Sequence, residues 1–154
     1  ITDMVFLVNI PENPGYKVVV EGQSNASITQ TTEIVEKIDI TALMAQGDIA
    51  EGEKIFKKCA ACHSINSGGK NKIGPALYNV VGRKVGGLTD YKYSKALASY
   101  DKKWSFEELN GFLKKPASYI KGTKMSYAGL RKEKDRASII KYLNQKSDSP
   151  KPLP

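Results

Sequence analysis

The spacing of apolar residues predicts an α-helix that begins directly after Asp48. One helical face is formed by Ile49, Gly52, Ile55, Phe56 and Cys59. These residues recur at intervals of three and four, which is the spacing of an amphipathic helix. Asp48 is a suitable N-cap because its carboxylate can accept the free backbone N–H groups of the first turn. The helix is predicted to run into a Cys-x-x-Cys-His segment.

Three further helices follow from the same kind of pattern. A short one covers residues 94–99. A second begins at Ser105, which forms a capping box with Glu108, and this helix ends at Pro116. The last covers about residues 133–146. Its apolar face is formed by Ile139, Ile140 and Leu143. The pattern therefore predicts an all-α domain over residues 47–146, with Gly-rich loops between the helices.

The ends of the chain follow other patterns. Residues 1–20 contain two short β-favouring runs on either side of Pro-Glu-Asn-Pro-Gly, which indicates a hairpin. Residues 21–46 are predicted to be a flexible linker, because their first half is rich in Gly, Ser, Thr, Gln and Asn. The Pro-rich residues 147–154 are predicted to be a disordered tail.

Composition and charge narrow the class of protein. The chain has 154 residues, of which 40% are hydrophobic and 26% charged, as in soluble globular domains. No apolar run approaches the roughly 20 residues of a membrane-spanning helix. Residues 1–46 carry two basic and six acidic side chains, net −4, whereas residues 47–154 carry net +12. An acidic partner is expected, but nucleic acid is not favoured, because the lysines are scattered and no nucleic-acid-binding motif is present.

Cys59, Cys62 and His63 include both cysteines and the only histidine of the chain. A dithiol switch would favour a helix N-terminus, where the helix dipole lowers a thiol pKa, whereas this segment follows a helix C-terminus. A zinc site would need a carboxylate or water as its fourth ligand. In c-type haem attachment both thiols form thioethers with the haem vinyl groups, and the adjacent histidine binds iron. Zinc and haem attachment would both use all three residues, but only haem attachment leaves no ligand of the motif to be supplied from elsewhere.

A six-coordinate haem iron needs a second axial ligand, and methionine is the candidate because no other histidine is present. Met4 lies in the N-terminal segment, and Met44 lies at the edge of an apolar cluster, as a core residue would. Met125 lies in a Gly-containing loop between helices, 62 residues after His63. Met125 is therefore the predicted ligand.

Several separate motifs make residues 47–146 resemble the class I cytochromes c of mitochondria and α-proteobacteria. In chain order they are Gly52-x-x-x-Phe56, Cys59-Ala-Ala-Cys62-His63, Gly74-Pro75-x-Leu77, Gly82-Arg83, Tyr93-Ser94, Trp104 and a segment from Tyr119 to Met125. The resemblance implies the cytochrome c fold, three to five helices around one covalently bound haem, here with an irregular N-terminal extension. It also implies one haem c attached through Cys59 and Cys62, with His63 and Met125 as iron ligands.

The resemblance assigns further residues to the haem pocket. The Pro75 carbonyl is expected to accept a hydrogen bond from Nδ1–H of His63, so that Nε2 faces iron. The residues expected near the haem propionates are Arg83, Tyr93 and Trp104. Their N–H and O–H groups would offset the cost of removing carboxylates from water. Thr123, in the segment before Met125, is also a predicted cofactor-binding residue.

The resemblance further implies that the first and last helices of the domain cross. Gly52 and Phe56 should meet Ile139, Tyr142 and Leu143 at the crossing. The missing side chain of glycine would allow the two helices to approach closely.

Two positions depart from the mitochondrial pattern. Phe112 lies where a tyrosine usually donates a hydrogen bond to the methionine sulfur, so that bond should be absent. Lys121 replaces the proline that is common before Gly-Thr-Lys-Met. With a looser loop, Lys124 beside Met125 is a hypothetical replacement ligand at alkaline pH.

The predicted function is electron transfer, without enzyme activity, from a cytochrome bc1 complex to a terminal oxidase. His–Met ligation leaves no open iron position, and the thioether raises the reduction potential. The main alternative is a haem enzyme or ligand sensor in which Met125 detaches, as in a peroxidase-like activity. A thiol oxidoreductase is a third alternative.

Partners and location are further implications of the resemblance. Lysines around the exposed haem edge would steer docking to acidic faces of the cytochrome bc1 complex and cytochrome c oxidase. These lysines are Lys57, Lys72, Lys84, Lys124 and Lys132. Residues 1–46 resemble the tether of membrane-anchored α-proteobacterial cytochromes of the c552 type. A membrane tether upstream of Ile1 is therefore expected, on the periplasmic side of the bacterial inner membrane, with the mitochondrial intermembrane space as the alternative.

Overall fold

The computed structural model describes residues 39–154, which form an all-α domain with six helices and no strand in that range. The helices are α1 Ile40–Ala45, α2 Ile49–Phe56, α3 Lys95–Ala98, α4 Phe106–Lys114, α5 Pro116–Tyr119 and α6 Glu133–Gln145. Helices α2 to α6 lie within the domain predicted from the sequence. The predicted hairpin of residues 1–20 and the linker up to residue 38 lie outside the described residues. Among those described, no helix has the length and apolar character needed to cross a membrane.

The predicted helix starts are confirmed. The side chain of Asp48 accepts the N–H of Glu51 at the start of α2, and Ser94 caps α3 in the same way. Ser105 accepts the N–H of Glu108 at 3.2 Å at the start of α4. The capping box there is only half formed, however. The Glu108 carboxylate instead accepts hydrogen bonds from the side chains of Tyr100, Lys102 and Tyr119. Pro116, expected only to end α4, also begins the single turn of α5.

Helices α2 and α6 cross closely, as expected. A Cβ atom on Gly52 would lie 2.1 Å from the carbonyl oxygen of Ser138, so a larger residue would push the helices apart. Beside this contact, the rings of Phe56 and Tyr142 pack with their centroids 5.6 Å apart. The crossing holds Ile139 and Leu143 of α6 in the core.

Helix α1 corrects the prediction for the end of the linker. Asp39 caps this helix by accepting the N–H groups of Thr41 and Ala42. Leu43 and Met44 are only 2% and 1% exposed, because α1 packs on α6. The linker predicted for residues 21–46 is therefore wrong for residues 39–46, where a cap and a buried apolar pair hold a six-residue helix on the domain. Met44 is a core residue, as expected.

The tail predicted to be disordered is also ordered over residues 147–151. The Asp148 carboxylate accepts hydrogen bonds from the Tyr78 hydroxyl at 2.8 Å and the Asn79 amide at 2.6 Å. Farther along, the backbone of Lys151 exchanges two hydrogen bonds with the Asn144 side chain. The composition of the tail excludes a helix, but its polar groups find partners on the domain surface.

The core is arranged around one cavity. Apolar side chains of α2, α4 and α6 form part of its wall. The long segment between α2 and α3 and the loop of residues 120–132, here called the Met125 loop, supply most of the remainder. Leu97 of α3 and Trp104, just before α4, complete the wall. The candidate site therefore depends on helices for its apolar wall and on loops for its chemistry.

Candidate cofactor-binding site

The structure brings all nine predicted site residues to one cavity of about 390 Å³. They are Cys59, Cys62, His63, Pro75, Arg83, Tyr93, Trp104, Thr123 and Met125. The volume lies in the usual range for small-molecule and cofactor sites, and most of the wall is apolar. Residues from four separate parts of the chain thus meet at one place.

The end of α2 places both cysteines on the cavity wall. Beyond Phe56 the chain continues in tight turns, with the Cys59 N–H donating to the Phe56 carbonyl at 2.7 Å and the His63 N–H to the Cys59 carbonyl at 2.9 Å. Both thiols are half-buried and are not joined in a disulfide. Burial raises the pKa of the Cys59 thiol, although Lys58 opposes the shift. A raised pKa at a helix C-terminus is the opposite of what a dithiol switch requires.

His63 is buried and held in one orientation. Its Nδ1 lies 2.7 Å from the Pro75 carbonyl oxygen, which can only accept, so Nδ1 carries the proton and Nε2 keeps its lone pair. Gly74 packs against the ring, where a Cβ atom would lie 2.3 Å from Cε1. Burial lowers the pKa of His63, the Pro75 hydrogen bond opposes this, and Lys72 adds to it. The side chain is therefore a neutral imidazole with a free nitrogen, as metal ligation requires.

Arg83 leaves one buried donor unsatisfied at the cavity. Its two Nη atoms donate to the carbonyls of Tyr78 and Ala76, at 3.2 and 2.9 Å. Its Nε is buried and has no hydrogen-bond partner among residues 39–154. Burial lowers the pKa of Arg83, which Tyr93 and Asp90 oppose. Since an unpaired buried donor costs free energy, this N–H fits an anionic group placed in the cavity.

Aromatic side chains form the wall near Arg83. Tyr93 packs edge-on against Tyr91 with centroids 4.8 Å apart, and burial raises the pKa of Tyr93. Trp104 packs against Phe112 at 5.0 Å. Phe112 is buried at the cavity and has no donor group, as the sequence indicates.

The Met125 loop is attached to the helices at both ends. The Ile120 N–H donates to the Pro116 carbonyl at 3.0 Å, and the Leu130 N–H donates to the Leu113 carbonyl at 2.8 Å. Between these points Met125 is half-buried at the cavity, and its N–H donates to the Thr123 hydroxyl at 3.2 Å. The structure thus places the thioether of Met125 and the imidazole of His63 on the same cavity.

Sequence reasoning missed several residues of the wall. Tyr127 is half-buried there and burial raises its pKa, and Lys58 and Tyr91 also line the cavity. Ile73 lines it too, yet is 79% exposed. The signal that could have found them is closeness in sequence, because each lies one or two residues from a residue of the quoted motifs: Met125, Cys59, Tyr93 or Gly74. No periodicity or motif spacing identifies them individually.

The donor set at the cavity fits haem. Two thiols match its two vinyl groups, the neutral imidazole matches iron, and the free Arg83 donor matches a propionate. Within residues 39–154, no group of three or more His, Cys, Asp or Glu side chains is arranged to hold a metal ion. The zinc interpretation of the Cys-x-x-Cys-His segment therefore has no structural support in that part of the chain.

Comparisons with known proteins agree with this chemistry. The family profile described as Cytochrome c matches residues 49–147. A "Cytochrome c homolog" of Bradyrhizobium diazoefficiens is 38% identical over 156 residues, covering 97% of this chain and 82% of that protein. Cytochrome c of Theileria annulata is 50% identical over 106 residues, covering 68% of this chain and 91% of that protein.

A solved structure gives the same result. Cytochrome cH from Methylobacterium extorquens is 40% identical, with a TM-score of 0.61, and covers 64% of this chain and 99% of that one. The helical fold around the cavity is thus the cytochrome c fold. The chain belongs to the class I c-type cytochromes, electron-transfer proteins that bind haem c covalently, here through Cys59 and Cys62 of the Cys-x-x-Cys-His motif.

Proposed function

We propose that this cytochrome carries single electrons from a cytochrome bc1 complex to a terminal oxidase, and that His63 and Met125 would bind its haem iron. The observation that carries the proposal is that these two candidate ligands, at positions 63 and 125, line one largely apolar cavity. Haem bound there supplies a one-electron iron couple. The remaining chemistry is done by the protein's own side chains.

The residues around the cavity hold the two ligands in place and exclude water. Pro75 fixes the tautomer of His63, and Gly74 leaves space for its ring. On the Met125 side, anchors at Ile120 and Leu130 hold the loop. A soft thioether in an apolar site favours the reduced state, which raises the reduction potential.

Electron transfer without enzyme activity follows from two protein ligands, because no coordination position is left for a substrate. A peroxidase-like enzyme or ligand sensor would require Met125 to leave. The two functions make different predictions for carbon monoxide. A carrier should bind little of it when reduced at neutral pH, whereas a sensor should bind it readily.

The charge distribution supports docking to acidic faces of the two respiratory complexes. The five lysines expected at the haem edge are all exposed. Lys124 lines the cavity, as does Lys58, which the sequence did not single out. Lys84 contributes less, since its amine pairs with the Asp101 carboxylate at 3.0 Å. With net +12 over residues 47–154, association should be steered by charge and weakened by salt.

The proposed location is the periplasmic side of a bacterial inner membrane, with a membrane tether upstream of Ile1. It is supported by the resemblance of residues 1–46 to such tethers and by the α-proteobacterial relative aligned over 97% of the chain. A tether raises the local concentration of the domain at membrane partners, so weak docking is sufficient. Fractionation of native cells should recover the protein with the membrane, and recovery from the cytoplasm would contradict this.

Spectroscopy of the mature holoprotein tests the function itself. A pyridine haemochrome assay should give one haem c per chain, and free-thiol titration should find no thiol. The oxidised protein should show the sulfur-to-iron charge-transfer band, and the reduced protein should bind little carbon monoxide. If the band is absent and the reduced protein binds carbon monoxide readily, the protein is a ligand sensor or enzyme and not an electron carrier.

A further inference from the structure

Arg136 is a completely buried charged side chain near the start of α6. Its Nη1 donates to the carbonyls of Leu130 and Arg131, at 2.8 and 2.7 Å, and its Nε donates to the Asn110 side-chain oxygen at 2.6 Å. Its ion-pair partner Glu133 lies 3.7 Å away and is largely exposed. The buried charge is therefore stabilised mainly by these three oxygen atoms.

Those oxygen atoms belong to two parts of the structure. Leu130 and Arg131 form the C-terminal end of the Met125 loop, and Asn110 is a buried residue of α4. Arg136 itself belongs to α6, so one guanidinium joins the loop end to both helices. Its planar fork holds several acceptors in fixed directions, which a lysine amine does not do.

The loop end is closely fitted at this point. Gly129 has a φ of 95°, and a Cβ atom there would lie 2.2 Å from the carbonyl oxygen of Lys114 on α4. Directly after it, the Leu130 side chain is buried and its N–H donates to the Leu113 carbonyl. Residues 129–131, the end of the loop, can therefore move away only if these α4 contacts and the Arg136 bonds are broken.

We propose that Arg136 and Asn110 are positioning residues that keep the Met125 loop closed and thereby set how often the methionine leaves the cavity. The inference rests on the proposed ligation by Met125. Without Asn110, a buried guanidinium loses one acceptor, and opening of the loop lets water replace it. Loop opening then becomes easier relative to unfolding of the whole domain.

The test compares Asn110→Leu with Asn110→Asp in the mature holoprotein. Leucine is similar in size to asparagine but has no acceptor, whereas aspartate keeps an oxygen for Arg136. Asn110→Leu should raise the affinity of the reduced protein for carbon monoxide about tenfold or more, since the open fraction rises by that factor. It should also weaken the sulfur-to-iron band at neutral pH. Asn110→Asp should behave like the unmodified protein in both measurements.

A variant that lowers the stability of the whole domain without touching the Met125 loop should give a different result from Asn110→Leu. Leu43→Ala is the control, because Leu43 lies in the core beside α6 and is absent from the cavity wall. At equal loss of global stability, measured by far-UV circular dichroism, Leu43→Ala should leave the band and the carbon monoxide affinity unchanged. Arg136→Lys, which keeps the charge without the fork, should resemble Asn110→Leu and serves if that variant does not fold.

The outcomes that overturn the inference are distinct from failure of the proposed ligation. If the unmodified protein lacks the band, the ligation fails and this inference fails with it. If the unmodified protein has the band, and the Asn110→Leu and Arg136→Lys variants lose it only as the whole domain unfolds, ligation by Met125 stands. In that case Arg136 and Asn110 are ordinary stabilising residues.

Discussion

Single residues at the cavity act through what they leave unfilled as well as through what they contribute. Gly74 leaves the space that the His63 ring occupies, and Phe112 contributes no hydrogen-bond donor to the wall. Arg83 has a buried Nε without a partner in residues 39–154. The unpaired Arg83 donor would be a defect in a core without a ligand, and it suits a core that contains haem.

Arg83→Leu should lower the reduction potential. If the unpaired Arg83 donor bonds a haem propionate, the substitution removes a positive charge and a donor from the propionate oxygens, and the uncompensated negative charge then favours the oxidised iron. The drop in potential should be on the order of tens of millivolts. A hydrogen bond to a charged group contributes about 1.5–3 kcal/mol, which is about 65–130 mV for a one-electron couple, and only the part that differs between the oxidised and the reduced protein shifts the potential. Redox titration measures it. Lys95→Gln, which removes an exposed charge on α3, should leave the potential nearly unchanged, and an equal drop in both variants would contradict a specific role for Arg83.

At the scale of helices, sequence patterns predicted what depends on local chemistry. Asp48, Ser94 and Ser105 cap the helices that the pattern placed after them. The sequence did not predict which distant residues would form hydrogen bonds with each other, because a side chain such as Glu108 has several suitable donors within reach. Its carboxylate caps no helix and instead accepts hydrogen bonds from Tyr100 and Lys102, between α3 and α4, and from Tyr119 of α5.

The same limit explains the errors at the two chain ends. Composition predicted a linker and a disordered tail because both segments are polar or rich in Pro. Leu43 and Met44 are a small apolar pair whose burial depends on α6, and Asp148 depends on a loop around Asn79. Contacts between positions so distant in sequence leave no local pattern. For the cavity, the Cys-x-x-Cys-His motif and the resemblance found all nine residues, but they did not show Ile73 or Tyr127.

Leu43→Ala should reduce the free energy of unfolding by about 2–5 kcal/mol, the usual cost of truncating a buried leucine. The reason is that α1 should unfold together with the rest of the domain, whereas a flexible linker, as predicted for these residues, would not contribute to its stability. Guanidinium chloride unfolding of the holoprotein, followed by circular dichroism, measures the change. Thr41→Ala is a suitable control because Thr41 is an exposed residue of the same helix. An unfolding midpoint unchanged in Leu43→Ala would mean that α1 does not stabilise the domain.

The whole molecule combines a positively charged domain with a negatively charged N-terminal segment. Net +12 over residues 47–154 contrasts with net −4 over residues 1–46. Most of the lysines in residues 39–154 are exposed, and of these lysines Lys58 and Lys124 line the cavity. Association with an acidic partner should therefore be fast at low salt and should depend on where the charges are, not only on their sum.

The double variant Lys58→Glu, Lys124→Glu should slow electron transfer to isolated cytochrome c oxidase at low salt and reduce its dependence on ionic strength. Lys54→Glu, Lys134→Glu changes the net charge by the same amount at exposed residues that do not line the cavity. This control should retain most of the rate. Stopped-flow measurements over a series of salt concentrations distinguish the two. Equal losses in both variants would mean that total charge, and not a surface at the cavity, guides docking.

Ile73 distinguishes apolar contact from electrostatic steering. It is 79% exposed at the cavity, while its neighbour Lys72 bonds to the Ala60 carbonyl and its own carbonyl accepts the Tyr91 hydroxyl. The backbone is thus fixed, and the side chain contributes little to the folded domain. If a partner covers it, Ile73→Ser should weaken binding to the oxidase about tenfold or more, because burying one such side chain contributes about 1.5–3 kcal/mol. Because no charge changes, the dependence of log Kd on salt should keep its slope, in contrast to the lysine variants. An unchanged Kd for Ile73→Ser would mean that the partner docks elsewhere on the domain.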